Sequence, residues 1–168
     1  IMVACDENKI LRSITETSLG NIEKYTNKGE YEIVLVDNNS QKWDDSIVSR
    51  YNIYNIDKYV PLHEDIGVSA SRNLGASEAD KNSEYFCFID NDMFVWEGWL
   101  TKLRSYLEKG ADFIMPAQGP ISREHVERSM AGIEEKLWDD AGLVLIKREA
   151  FEKIGGYDEE FKSIYHEL

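Results

Sequence analysis

The sequence is short of the residues that would place it in several functional classes. Its 168 residues hold 19 Lys and Arg against 32 Asp and Glu, a formal net charge of −13 and a pI near 4.6. A surface so poor in cations is a bad match for nucleic acid or an anionic membrane. It still admits a polyanionic nucleotide, provided a metal ion or a local arginine offsets the charge. Cysteine is scarce too. Cys5 and Cys87 each sit in an apolar, strand-like run, so they are expected as buried, reduced thiols of an intracellular protein rather than as a disulfide. The three histidines, His63, His125 and His166, have none of the spacing of a zinc site. No apolar run approaches membrane-spanning length and no signal peptide is visible. The expected location is cytoplasmic, with any peripheral membrane attachment left to segments outside this sequence. The chain opens at Ile1 instead of Met and is expected to be a trimmed piece of a longer one.

What is present describes a folded α/β domain. Hydrophobic residues make up 42% and aromatics 11%, enough for a globular core, and the length suits one domain spanning 1–168. Ile1 to Cys5 reads as a buried strand. Ile10, Leu11, Ile14, Leu19 and Ile22 then recur at roughly helical spacing, up to a turn at Asn27-Lys28-Gly29. Tyr31 to Val36 is a second strand, stopping at the turn-formers Asp37-Asn38-Asn39-Ser40. A short helix over Trp43 to Tyr51 and a weak strand before Pro61 follow. Gly67 to Ala79 is a helix with Val68, Leu74 and Ala79 expected inward, and Glu84 onward is a strongly apolar strand. Trp99 to Leu107 is helical, Asp112 to Met115 a short strand, and Gln118 to Asp140 a polar stretch with a helix near Arg123 to Ala131. Gly142 to Ile146 is a late strand, and Arg148 to Ile154 a helix ended by Gly155-Gly156. Alternating strands and helices predict a mostly parallel central sheet flanked by helices.

The strand Glu84-Tyr85-Phe86-Cys87-Phe88-Ile89-Asp90-Asn91-Asp92 carries the strongest chemical signal. An apolar run ends in two carboxylates one residue apart. Ligands of parallel sheets bind beyond the carboxyl ends of the strands, and two acids so close call for a cation between them. Asp6 and Asp37 also follow strands. Three acids at one sheet edge are costly unless a ligand uses them, although Asp37 alone serves equally well as a cap. Asp37 would accept from a nucleobase N–H or a ribose hydroxyl, Asp90 would bond ribose, and Asp92 would hold a metal bridging a diphosphate. In Ser69-Ala70-Ser71-Arg72-Asn73-Leu74-Gly75 an arginine stands among small residues near a helix start. Small neighbours let a ligand approach the backbone, and arginine pairs with phosphate oxygens; an ordinary helix with a solvated arginine is the alternative. Asn73 is expected to orient a loop, Asp158 to cap or turn, and Phe161 to pack. Trp138-Asp139-Asp140 is either a second acidic feature at the site mouth or a solvated loop.

Other α/β families fit less well. A phospho-acceptor receiver domain would leave the double acid unexplained, and Lys147 is poorly placed for its lysine. A dinucleotide-binding fold needs a glycine-rich turn after the first strand, where this chain has Asp6-Glu7-Asn8-Lys9. Sugar-phosphate nucleotidyltransferases need a glycine-rich start that is likewise missing.

The order Glu32 to Ser40, Ser69 to Gly75, Glu84 to Asp92 with its D-x-D, then Gly142 to Glu159 resembles a family 2 glycosyltransferase of the GT-A (Rossmann-like) fold, over nearly the whole chain. The resemblance implies transfer of a hexosyl unit from a nucleotide-diphosphate sugar to a hydroxyl of a saccharide or other acceptor, as in polysaccharide biosynthesis, with Mn²⁺ or Mg²⁺ and with inversion. It implies that Asp37 contacts the base, Arg72 the donor, Asp90 the ribose and Asp92 the metal, with Ala4, Asp6 and Asn91 completing the nucleotide-sugar set. Asp6 departs from the Asn more usual there. The catalytic base is expected shortly after the Gly-Gly-Tyr-Asp-Glu stretch, which makes Glu167 the candidate. Acceptor-binding segments are expected to be missing, so a non-catalytic nucleotide-sugar or metal-binding module is the alternative.

Overall fold

A computed structural model describes residues 1–5, 9–40, 54–116 and 142–161. In chain order its elements are β1 (Met2–Ala4), α1 (Lys9–Tyr25), a 3-10 turn (Lys28–Glu30), β2 (Val34–Asn38), β3 (Lys58–Leu62), α2 (Val68–Glu78), β4 (Tyr85–Asp90), α3 (Trp99–Glu108), β5 (Phe113–Ile114), β6 (Leu143–Lys147) and α4 (Arg148–Ile154). The strands form one sheet in the order β3-β2-β1-β4-β6-β5. The pairings from β3 through β4 are parallel, while β6 runs antiparallel to both β4 and β5. The expected mostly parallel sheet flanked by helices is therefore present.

Strand alternation explains the two cores. Ile33 and Leu35 point to one face, where they join Met2, Leu19, Ile22, Ile89, Trp99, Leu103 and Leu107 under α1 and α3. Val34 and Val36 point to the other and meet Ala76, Phe86, Phe88, Val144 and Phe151 under α2 and α4. Strands buried on both sides read as unbroken apolar runs, as parallel central strands do.

Several boundaries and faces differ from expectation. β2 begins at Val34: the Ile33 N–H donates to Asp57 Oδ2 at 2.8 Å, and the ladder to β3 opens where the Ile33 carbonyl accepts the Lys58 N–H. It runs on through Asp37 and Asn38, which pair with Pro61 and Leu62 of β3. Pro61 lies inside β3 rather than after it; β3 is an edge strand, so the missing N–H faces away from the sheet. Ile10 and Leu11 are exposed, and the buried face of α1 includes Thr15 and Ser18. Val68 is exposed, and the inner face of α2 is Ser71, Gly75 and Ala76. A Cβ on Gly75 would lie 2.4 Å from Ile1 Cγ2 and 3.2 Å from Val36 Cγ2, so this glycine serves helix–sheet packing, not ligand approach. Phe161 and Cys5 are exposed, against the expectation that both are buried. The expected helices over 43–51 and 123–131 lie outside the described residues.

Candidate functional site

The register brings the predicted residues to one edge. Ala4 pairs with Asp37 and Val3 with Asp90, so the carboxyl ends of β2, β1 and β4 lie side by side. Beyond β4 come Asn91 and the exposed Asp92. The Asp90 N–H donates to the Gly142 carbonyl at 2.8 Å, which brings the start of β6 to the same edge. β3 also ends there at Leu62, and after Gly67 the amino end of α2 begins. Asp6, Glu167, His125, His166 and Trp138-Asp139-Asp140 lie outside the described residues, and His63 is exposed.

On the α2 face, an Arg72 Nη donates to Asp90 Oδ1 at 2.6 Å, with the arginine side chain 15% and the aspartate side chain 36% exposed. Arg72 is thus no solvated helix arginine. The helix aims it along the sheet edge at the first acid of the pair. Its guanidinium also lies 5.2 Å from the centre of the Tyr157 ring.

On the α1 face, Asp37 is 2% exposed. Its Oδ1 accepts the Ser40 N–H and its Oδ2 the Tyr59 hydroxyl, each at 2.8 Å. Asp37 therefore caps the turn after β2, helped there by Asn39 at φ 65°. A carboxylate has about four acceptor positions, so these two bonds leave capacity for a ligand donor. Burial, followed by the bond to Asp37 and its charge, raises the Tyr59 phenol well above its ordinary range.

Sequence reasoning missed the residues that hold this edge in shape. Asn38 Nδ2 donates to Asp65 Oδ1 at 2.6 Å, and Asn38 Oδ1 accepts the Ile66 N–H at 3.0 Å. The same Asp65 oxygen accepts the Gly67 N–H at 2.8 Å. Gly67 is at φ 84°, a conformation that suits glycine at the mouth of α2. Across the edge, Asn91 Nδ2 donates to Thr15 Oγ1 at 2.8 Å and Ser18 Oγ to the Met93 carbonyl at 2.6 Å, while the Val95 N–H donates to Asn21 Oδ1. Residues 15, 18 and 21 share one face of α1. The hint in the sequence was a set of polar residues interrupting the apolar stripe.

Among the described residues no three His, Cys, Asp or Glu side chains gather into a metal cage. An exposed Asp92 at the end of β4 still fits a divalent cation that arrives with its nucleotide. Mg²⁺ and similar ions are commonly held by one or two carboxylates, with phosphate oxygens and water completing the shell. A cavity of about 440 Å³, lined in part by Tyr31, Glu32, Tyr85 and Arg104, opens at the opposite, amino-terminal edge of the strands, away from these acids.

Residues 1–165 match the model of glycosyl transferase family 2. The chain belongs to this family. No curated protein matches it. Among solved structures, S. aureus TarS 1–349 superposes with a TM-score of 0.68 at 20% identity, covering 97% of this chain and 50% of that one. TarS 1–349 in complex with UDP-GlcNAc gives 0.66 at 17% identity, covering 93% and 47%. The mannosyltransferase PcManGT from Pyrobaculum calidifontis, in complex with GDP-Man and Mn²⁺, gives 0.72 at 19% identity, covering 95% and 47%. At such identities the likeness shows the fold, which is GT-A. The family 2 chain spans about half the length of these structures. No helix among its described residues is long and apolar enough to cross a membrane.

Proposed function

We propose that this chain carries the donor-binding core of a metal-dependent glycosyltransferase that moves a hexosyl unit from a nucleotide-diphosphate sugar to an acceptor hydroxyl with inversion. The observation that carries the reading is the single edge at which Ala4, Asp37, Asp90, Asn91 and Asp92 converge, with Arg72 aimed at Asp90. Family 2 membership supports nucleotide-sugar transfer. The neighbours solved with UDP-GlcNAc or with GDP-Man and Mn²⁺ support a nucleoside-diphosphate donor and a divalent ion.

Asp37 takes a donor group of the base through its remaining lone pairs, and backbone at Ala4 lets the nucleoside lie close to β1. Asp90 accepts from ribose. Arg72, beside the amino end of α2, offers paired N–H donors to diphosphate oxygens at the positive end of a helix. Asn91, fixed by Thr15, holds the turn that presents Asp92. When bound, a cation at Asp92 offsets charge on the departing diphosphate. A carboxylate base, with Glu167 the candidate, takes the proton of the acceptor hydroxyl as it attacks the anomeric carbon.

Calorimetric titration with UDP, GDP and dTDP in the presence of Mn²⁺ tests the reading. At least one nucleotide should bind, and Asp92→Asn should weaken that binding about tenfold or more while leaving the melting temperature unchanged, a charge-assisted contact being worth about 1.5–3 kcal/mol. Equal affinity in parent and variant would sink the metal role. Binding with neither donor hydrolysis nor transfer across an acceptor panel would assign the chain as a non-catalytic nucleotide-binding module.

A further inference from the structure

Arg72 and Asn73 are neighbours on α2, and one residue from a distant part of the chain engages both. The Asn73 side-chain amide brackets the backbone of Tyr157: Nδ2 donates to the Tyr157 carbonyl at 2.9 Å, and Oδ1 accepts the Tyr157 N–H at 2.8 Å. Nδ2 also donates to Glu159 Oε1 at 2.8 Å. This pairing fixes the orientation of the amide, because only one assignment of oxygen and nitrogen satisfies both backbone groups. The turn reaches Asn73 through Gly155 and Gly156, at φ 86° and 85°. A Cβ on Gly156 would lie 2.7 Å from Asn73 Oδ1, so the approach requires glycine.

The Tyr157 ring then lies between core and site. It meets Phe88 edge-on at 5.0 Å and Phe151 at 5.9 Å between centroids. Its other neighbour is the Arg72 guanidinium, 5.2 Å from the ring centre. Burial raises the Tyr157 phenol above its ordinary value, with the Arg72 charge opposing and the Asp90 charge adding. Both ends of the ion pair therefore act on this ring. An arginine has many rotamers to lose, and this one is held by a ring on one side and a carboxylate on the other.

We propose that Asn73 and Tyr157 form a positioning device for Arg72, in which the Asn73 amide anchors the backbone of Tyr157 and the Tyr157 ring holds the Arg72 guanidinium toward Asp90 at the sheet edge. The proposal rests on the reading of Arg72 as the diphosphate-binding cation. It gives the Gly-Gly-Tyr stretch a role at the donor site, where the sequence suggested a structural turn. Neither Asn73 nor Tyr157 need touch the reacting atoms.

Two readouts test it on the 168-residue chain. The first needs no ligand: the side-chain Nε–Hε NMR signal of Arg72, assigned by its loss in Arg72→Lys. In the parent it should lie away from the position of free arginine. Asn73→Ala and Tyr157→Leu should each return it toward that position, and the double variant should move it no further. The second is nucleoside-diphosphate affinity with Mn²⁺. Asn73→Ala should raise Kd on the order of fivefold to tenfold, but by less than about twofold when Arg72 is already alanine, since coupled neighbours are not additive. An Arg72 signal unmoved by Asn73→Ala would overturn the proposal. So would an affinity loss of equal size with and without Arg72, which is what a purely structural clamp predicts. If Asn73→Ala does not fold, Tyr157→Leu carries both arms. If the parent binds no nucleoside diphosphate, the functional reading fails, and the NMR arm still decides whether the device exists.

Discussion

Gly155 and Gly156 stand side by side with nearly the same backbone angles, yet their surroundings differ. Both have φ near +85°, where an L side chain costs roughly 1–2 kcal/mol. A Cβ on Gly155 would meet nothing within 4 Å, whereas one on Gly156 would press on the Asn73 amide at 2.7 Å. Gly155→Ala should therefore lower stability by about 1 kcal/mol, the conformational cost alone. Gly156→Ala should lower it by about 2–3 kcal/mol, because it also displaces hydrogen bonds worth about 1 kcal/mol each. Urea melts of the two variants measure the difference, and equal losses would show that the contact with Asn73 is unimportant. Asp37 needs the same separation of fold from site. Removing its carboxylate strips the Ser40 N–H and the Tyr59 hydroxyl of an acceptor in a buried place, so Asp37→Ala should cost about 2–4 kcal/mol. Tyr59→Phe should cost only about 1 kcal/mol while leaving nucleotide affinity intact. Weaker nucleotide binding in Tyr59→Phe would mean that the hydroxyl, not the carboxylate, serves the ligand.

At the level of elements, the contact between α1 and the turn after β4 joins packing to function. Thr15, Ser18 and Asn21 bond Asn91, Met93 and Val95 in turn. The helix thereby presents Asp92 from a fixed turn. Thr15→Val keeps the shape and removes the bond to Asn91. It should lower stability by about 1 kcal/mol and weaken Mn²⁺-dependent nucleotide binding several-fold, as loss of a positioning hydrogen bond does. Calorimetry on this variant, beside Ile10→Ser on the exposed side of the same helix as a neutral control, separates positioning from general loosening. The helix itself was legible from its apolar spacing, but this polar face was not. Periodicity shows that residues 15, 18 and 21 align, not what they face. The strands were legible for a similar reason: Val34, Val36, Phe86 and Phe88 are buried on one face of the sheet and Leu35 and Ile89 on the other. Strand direction was not. A buried antiparallel strand such as β6 has the same unbroken apolar pattern as a parallel one, because direction is set by the connection and not by local composition. The convergence of Asp37, Asp90 and Arg72 could be anticipated because strand ends and a helix start fix where they lie. The partners that bind them, Tyr59 and Tyr157, come from separate stretches whose meeting depends on register and tertiary packing.

Across the whole molecule, the thiol and phenols that folding perturbs among the described residues share one direction, while burial lowers the pKa of the Ile1 amino group, whose opposite effect is complete by about pH 8. Burial pushes the Cys87 thiol up from 9.0 to about 11, and burial also raises the phenols of Tyr31, Tyr54, Tyr59 and Tyr157. In each case the folded state favours the protonated, neutral form. Between the unfolded and folded values the native chain binds more protons than the unfolded one, so stability falls as pH rises. The contribution is complete below the unfolded value and is lost on passing through the folded one. Cys87 should begin to act near pH 9 and finish near pH 11, removing on the order of 2–3 kcal/mol at about 1.4 kcal/mol per pH unit. The tyrosines add to the loss above pH 10. A formal charge of −13 at pH 7 deepens the decline, since each new anion joins an already acidic surface. Urea unfolding at one-unit steps from pH 7 to pH 11 should show a shallow profile up to pH 9 and a steepening fall beyond it. Cys87→Ala should flatten the segment between pH 9 and pH 10 while keeping the later fall, and Tyr59→Phe should do the reverse. A Cys87→Ala protein with the parent's slope between pH 9 and pH 10 would show that burial of this thiol does not carry the loss.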